Sequence, residues 1–206
     1  MQNAKPQNIP CPFIRALVAQ NYIEADIEPV QRLAELIGEA AGGSEANKAK
    51  IRTASKGIAA IANGLRPDTI YKTYKGGLRI EKLRGGPLDK RGVNSRIIDQ
   101  TGKFNPEQFE RLKAFAREFT SGEGKELGIG LSEIKKMMDE NAARASHKRP
   151  VDRLLMEGEW PVLLKVMKKG EGDAAYLSLD ELRTLFAERR FPARIEARIA
   201  SFRLPT

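Results

Sequence analysis

Ile9-Pro10-Cys11-Pro12-Phe13-Ile14-Arg15-Ala16-Leu17 is the stretch from which the rest of the chain can be read. Pro12 suits the first position of a helix, where its missing N–H leaves no bond unmade. Cys11, the only cysteine in 206 residues, then stands at the N-cap. There its sulfur is expected to face the N–H groups of the first turn, at the positive end of the helix. That setting favours thiolate over thiol. A thiolate so placed suits a nucleophile or the axial ligand of a haem iron. A buried, inert cysteine that fills a gap in the core is the plain alternative. Position alone leaves these readings open.

From Pro12 the apolar spacing predicts a short helix to about Asn21, with Phe13 and Leu17 on its inner face and Arg15 and Gln20 off it. Tyr22 to Asp26 reads as its exit loop. Pro29 opens a second helix carrying Leu33, Leu36 and Ile37, stopped by Gly42-Gly43-Ser44. The alanine-rich run from Glu45 to about Asn63 predicts a third, with Ile51, Ile58 and Ile61 as its larger apolar groups. Its small residues suit close helix packing or room for a flat ligand. Gly64 to Arg91 holds five glycines, Pro67 and Pro87, and reads as a long loop with short extended pieces. Irregular connections of that length are uncommon unless they line a site or move. Tyr71 and Tyr74 lie there among Lys72, Lys75 and Arg79, a mixture that also suits a nucleic-acid backbone.

Asn105-Pro106-Glu107-Gln108 predicts a capped helix start, and Phe109, Leu112, Phe115, Ala116 and Phe119 an apolar stripe along one helix closed by Ser121-Gly122-Glu123-Gly124. Leu131-Ser132-Glu133 opens another, with Ile134, Met137 and Met138 inward. Val151 to Lys169 is a helix candidate kinked or divided at Pro161. Ser178-Leu179-Asp180-Glu181 has the spacing of a capping box ahead of Leu182, Leu185 and Phe186. The whole predicts an all-α, mainly helical fold. Residues 1–8 form an N-terminal arm, 9–206 one domain, and extended pieces are confined to the central loop region, 64–104.

The formal net charge of +9 suits nucleic acid, acidic lipid or an anionic cofactor. One cysteine excludes an intramolecular disulfide. No apolar run reaches membrane-spanning length, and the polar segment Met1 to Asn8 lacks the core of a secretory signal. A cytoplasmic address with no membrane partner is the expectation. Asp99 to Asn105 and Glu171 to Glu181 are too poor in oxygen ligands for calcium loops and read as helix entries. His147, the only histidine, lies in a basic run and is expected at the surface.

Pro10-Cys11-Pro12, the apolar run to Leu17 and then Gln20-Asn21-Tyr22-Ile23 resemble the signature of the haem-thiolate peroxidases, the family of fungal chloroperoxidase and the unspecific peroxygenases. Arg15 stands where that family has asparagine, and Asn21 where it has glycine. Leu179 to Phe186, followed by Arg190-Phe191-Pro192, resembles the family's closing helix, and Asn105 to Phe109 the start of the helix after its metal loop. The resemblance implies a chloroperoxidase-like helical domain and haem b held through iron by the Cys11 thiolate. It implies a peroxidase or peroxygenase that uses hydrogen peroxide to oxidise a halide or small organic substrate. It also implies a distal glutamate, for which Glu140, Glu157 and Glu159 are candidates and Glu157 is favoured.

The family's magnesium or manganese motif is best placed on Asp89 to Arg96, where Lys90 and Arg91 replace residues of the metal site. Two positive side chains oppose a bound cation, so Lys90 and Arg91 are expected to face the haem propionates instead. Two rivals stand beside this reading. One is a haem-binding protein without peroxidase turnover. The other is a non-haem helical interaction or nucleic-acid-binding protein using the basic 64–96 loop.

Overall fold

A computed structural model of the chain describes residues 8–89, 95–121, 124–146, 149–152, 155 and 159–202. Helix α1 (Pro12–Ala19) begins as its sequence dictates, with proline in the first turn and Cys11 at the N-cap in an extended conformation. The Arg15 N–H donates to the Cys11 carbonyl at 3.0 Å, closing the first turn. Phe13 to Val18 are all buried, and Ala16 and Leu17 are wholly so. Arg15, expected off the apolar face, is buried too, although Ala19, one turn further on, is exposed. The chain leaves α1 through Asn21 at φ 63°, a left-handed conformation that asparagine tolerates better than most residues.

Helices α2 (Val30–Ala41) and α3 (Glu45–Ala62) pack against each other as a hairpin. Gly42, at φ 67°, ends α2, and Ser44 caps α3 by accepting from the Asn47 N–H. The last carbonyls of α2 lack helical partners. Arg198 supplies them, donating to the Ala40 and Ala41 carbonyls at 3.2 Å from α9 (Ala193–Ala200).

Residues 64–91 are not simply a loop. Helix α4 (Pro67–Gly76) forms there, with Pro67 in the first turn, Asp68 near its positive end and Lys75 near its negative end. Only Thr73 of this helix is buried, so no apolar stripe announces it. Gly77, at φ 97°, turns the chain into β2 (Leu78–Arg79), which pairs antiparallel with β1 (Ile27–Glu28). Leu78, Ile80 and Leu83 then enter the core.

Helix α5 (Pro106–Lys113) starts at its expected cap, Asn105 Oδ1 accepting from the Gln108 N–H at 3.2 Å, but it stops before Phe119. The predicted stripe is cut, and Phe119 belongs to β3 (Arg117–Ser121). Strand β3 pairs with β4 (Gly124–Gly130), and β4 with β5 (Tyr176–Ser178), as an antiparallel sheet in the order β3-β4-β5. The expectation that extended structure is confined to 64–104 fails for this reason. Phe119 stacks on Tyr176, ring centroids 4.3 Å apart, and Arg117 lies over the Phe119 ring. A Cβ at Gly128 would sit 2.5 Å from Tyr176 Cδ2, so glycine is what admits the ring. Glu126 accepts from the Tyr176 hydroxyl and the Lys169 ammonium, both at 2.7 Å. Burial alone would push its carboxyl up, but these bonds and one to Ser178 outweigh that and hold it below the usual glutamate range.

Helix α6 (Leu131–Arg144) is capped by Glu133, whose Oε2 accepts from the Gly130 N–H at 2.9 Å. Pro161 starts rather than kinks a helix: it lies in the first turn of α7 (Trp160–Met167). Helix α8 (Leu179–Ala187) begins where expected, yet Ser178 makes no side-chain cap, being buried and engaged with Glu126. One contiguous core runs from Ile9 to Ile199. Among the described residues no helix is long and apolar enough to cross a membrane.

Candidate functional site

Helices α1, α2, α3 and α7 and the segment after β2 enclose a cavity of about 190 Å³. Its walls are apolar: Phe13 and Ile14 from α1, Leu33 and Ile37 from α2, Leu163 and Val166 from α7. Trp160 closes one side and stacks on Phe186 at 5.9 Å between ring centroids. Ala59 and Ala62 leave the space that larger side chains would fill. Five of the residues that line it carry polar side-chain atoms: Cys11, Ser55, Asp89, Glu159 and, through its indole N–H, Trp160. An apolar cleft with a few convergent polar groups is the usual form of a small-molecule or cofactor site.

Cys11 reaches the cavity because Pro12 ends the helix there and leaves the N-cap residue on its wall. The sulfur makes no capping hydrogen bond to the first turn, contrary to expectation. It still lies at the helix end where an anion is stabilised. Glu159 is the residue before α7 and accepts the Leu163 N–H on its carbonyl at 2.9 Å. Its place in the wall follows from Pro161, which fixes where α7 begins.

Asp89 is held rather than exposed. Its Oδ1 accepts from Arg84 Nη1 at 3.2 Å and its Oδ2 from the Gly85 N–H at 2.7 Å. The carboxylate thus latches the turn at the cavity edge. Glu140 is not at the cavity: it pairs with Arg111 at 2.7 Å on the surface. Glu157, Lys90, Arg91 and His147, all singled out from the sequence, lie outside the described residues. Among the described residues no group of three or more histidine, cysteine, aspartate or glutamate side chains is placed to hold a metal ion. A thiolate ligand to a haem iron needs no such group.

Behind α1 lies a second polar feature that the sequence did not reveal. Arg15 is 3% exposed, and its Nε and Nη1 have no hydrogen-bond partner. Burial pushes the Arg15 pKa down to about 10, and the nearby Arg189 and Arg84 push the same way, against Cys11 and Asp99.

Compared with known proteins, the chain matches no family model, no curated protein and no solved structure.

Proposed function

We propose that the cavity binds haem b through Cys11 and that the protein is a haem-thiolate peroxidase or peroxygenase. The observation that carries this reading is that Cys11 and Glu159, far apart in the chain, line one apolar cavity. The residues suit the group. A soft sulfur at a helix N-terminus is a fitting iron ligand, and aliphatic walls with two alanines suit an apolar macrocycle, for which the cavity of about 190 Å³ would have to widen. Asn21 in the left-handed conformation, where the resembled family has glycine, is consistent with the same turn after the cysteine helix. Bound there, haem would supply a redox-active iron able to oxidise a substrate at the expense of hydrogen peroxide.

The chain's own part is binding, exclusion and proton handling. The end of α1 favours an anionic Cys11 sulfur as the ligand. The walls of α2, α3 and α7 exclude water, which strengthens every charge interaction inside. Glu159 is the carboxylate placed to take a proton from one peroxide oxygen and return it to the other. Glu159 was one of the three glutamates the sequence offered for that role, beside Glu140 and the favoured Glu157.

Haem titration tests the reading. The ferrous–carbon monoxide complex should absorb near roughly 450 nm, as a thiolate opposite carbon monoxide does in the resembled family. Cys11→Ser should lose that band and keep its helical circular dichroism, because serine caps a helix well. Glu159→Gln should bind haem normally and lose peroxide turnover. Failure of the wild type to take up haem refutes the proposal. Haem uptake without peroxide turnover selects the non-enzymatic rival.

One observation favours a different class. Tyr71 and Tyr74 on α4 are 65% and 54% exposed, on the helix that carries Lys72 and Lys75. Aromatic rings beside cations suit single-stranded nucleic acid. Salt-dependent binding of a labelled oligonucleotide that Tyr71→Ala weakens, by a protein that takes up no haem, would select that reading.

A further inference from the structure

A guanidinium carries five N–H donors and a charge that is not lost at ordinary pH. Burying it without acceptors is costly, and buried polar groups in proteins are almost always paired. Arg15 breaks that rule at Nε and Nη1.

The neighbouring groups do not supply the missing acceptor. Arg84 is itself a cation, engaged with Asn8 Oδ1 at 2.8 Å, Asp89 at 3.2 Å and the Asp99 carbonyl at 2.9 Å. Asp99 is the carboxylate that faces Arg15, but its Oδ1 already accepts from the Thr101 N–H and hydroxyl and from the Lys103 N–H. Arg189, in the left-handed conformation at φ 58° just after α8, brings a third cation. The carboxylate beside it in the chain, Glu188, is taken by Arg190 at 2.7 Å. Three cations, Arg15, Arg84 and Arg189, thus meet two carboxylates, of which Asp89 is taken by Arg84 and the Gly85 N–H, and Asp99 is engaged at Oδ1 by Thr101 and Lys103.

We propose that Arg15, with Arg189 beside it, is a binding site for a small oxyanion, a carboxylate or a phosphate. A planar guanidinium matches such oxygens in geometry and charge. The site lies at the back of α1, next to the cavity edge, since Cys11 and Asp89 line the cavity and both belong to this group of charges. The oxyanion has two available sources: a free anion, or the carboxylate of a ligand seated in the cavity. The second source rests on the haem reading and the first does not.

The test uses the full-length apoprotein at constant ionic strength, with inorganic phosphate as the probe. Thermal unfolding of the wild type should shift upward by several degrees and saturate as phosphate is added. Arg15→Met should abolish the phosphate shift, and Arg189→Gln should weaken it. Arg189→Gln also keeps the test alive should Arg15→Met not fold. A parallel titration compares haemin with its dimethyl ester, which lacks free carboxylates. Tighter binding of haemin than of the ester, lost in Arg15→Met, assigns the oxyanion to the ligand. Equal binding of the two, with the phosphate shift intact, assigns it to a free anion. The proposal is overturned if neither the phosphate shift nor the haemin–ester difference depends on Arg15 or Arg189. Haem uptake that fails while the phosphate shift survives refutes the functional reading and leaves this site standing.

Discussion

Replacing Arg15 by methionine should make the protein more stable. The guanidinium is depressed from the ordinary arginine value by roughly two and a half units, to about 10, chiefly by burial. Each pKa unit corresponds to about 1.4 kcal/mol, so the charged form costs the folded state roughly 3 kcal/mol. Methionine keeps most of the apolar stem's packing and removes the charge. A net gain of roughly 2–3 kcal/mol follows, or about 5–10 °C in Tm for a chain of this length.

The pH dependence identifies the cause. Below pH 10 Arg15 is charged in both the folded and unfolded states, and the wild type bears the full penalty. Above pH 10 the folded state releases its proton before the unfolded state does. The unfolded state then holds more protons, and wild-type stability rises relative to the variant. The gap should be flat from pH 7 to 9 and narrower by roughly 1.4 kcal/mol at pH 11. Urea unfolding followed by Trp160 fluorescence, in buffer free of phosphate and carboxylates, measures it as a change in midpoint at constant slope. A variant less stable than wild type at pH 7, or a gap unchanged between pH 8 and 11, would refute the account of Arg15 as an uncompensated buried cation.

Three further substitutions probe other parts of the structure. Ala59→Phe, which fills the cavity from α3, should abolish haemin uptake while leaving the far-ultraviolet circular dichroism intact; uptake at wild-type affinity would show that the cavity is not the site. Gly128→Ala should destabilise by about 1–3 kcal/mol, because the new methyl meets Tyr176 Cδ2 at 2.5 Å and the Leu177 carbonyl oxygen at 2.9 Å; a denaturation midpoint equal to wild type would count against that packing. Glu126→Gln should cost about 1.5–3 kcal/mol at pH 7 through weakened bonds to Lys169 and Tyr176. The Glu126 carboxyl is held low in the folded state, so its contribution is full above the ordinary glutamate pKa and fades as pH falls through the folded value. The gap should therefore close in acid, and a constant gap down to pH 3 would contradict it.

What could be read from the chain was local. Pro12 and Asn105 each mark a helix start through their own backbone chemistry, and each stands at one, whereas Ser44, read as part of a stop, and Pro161, read as a kink or division, prove to be starts as well. Phe119 shows the limit. Its spacing from Phe109 and Leu112 is helical, but its ring partner, Tyr176, arrives from a strand far along the chain, and that contact cuts the helix. Glu157 and Glu159 show the same limit within the site. They sit two residues apart, and nothing in their spacing says that Glu159 lines the cavity wall; the start of α7 brings it there.

Arg15 was the least legible, and the reason is instructive. A charge one position off an apolar face reads as solvated, because most helices have a solvated face. Helix α1 keeps only its last residue, Ala19, exposed: α8 packs on it, and every residue from Phe13 to Val18 is buried. A cation in such a helix has only non-local groups to meet it, and those that do, Arg84 and Arg189 above all, carry the same charge. The same full burial brings Cys11 to the cavity wall and Arg15 to its orphaned position. The ligand chemistry proposed for each therefore has one structural origin: an eight-residue helix that begins at Pro12 and is buried from Phe13 to Val18.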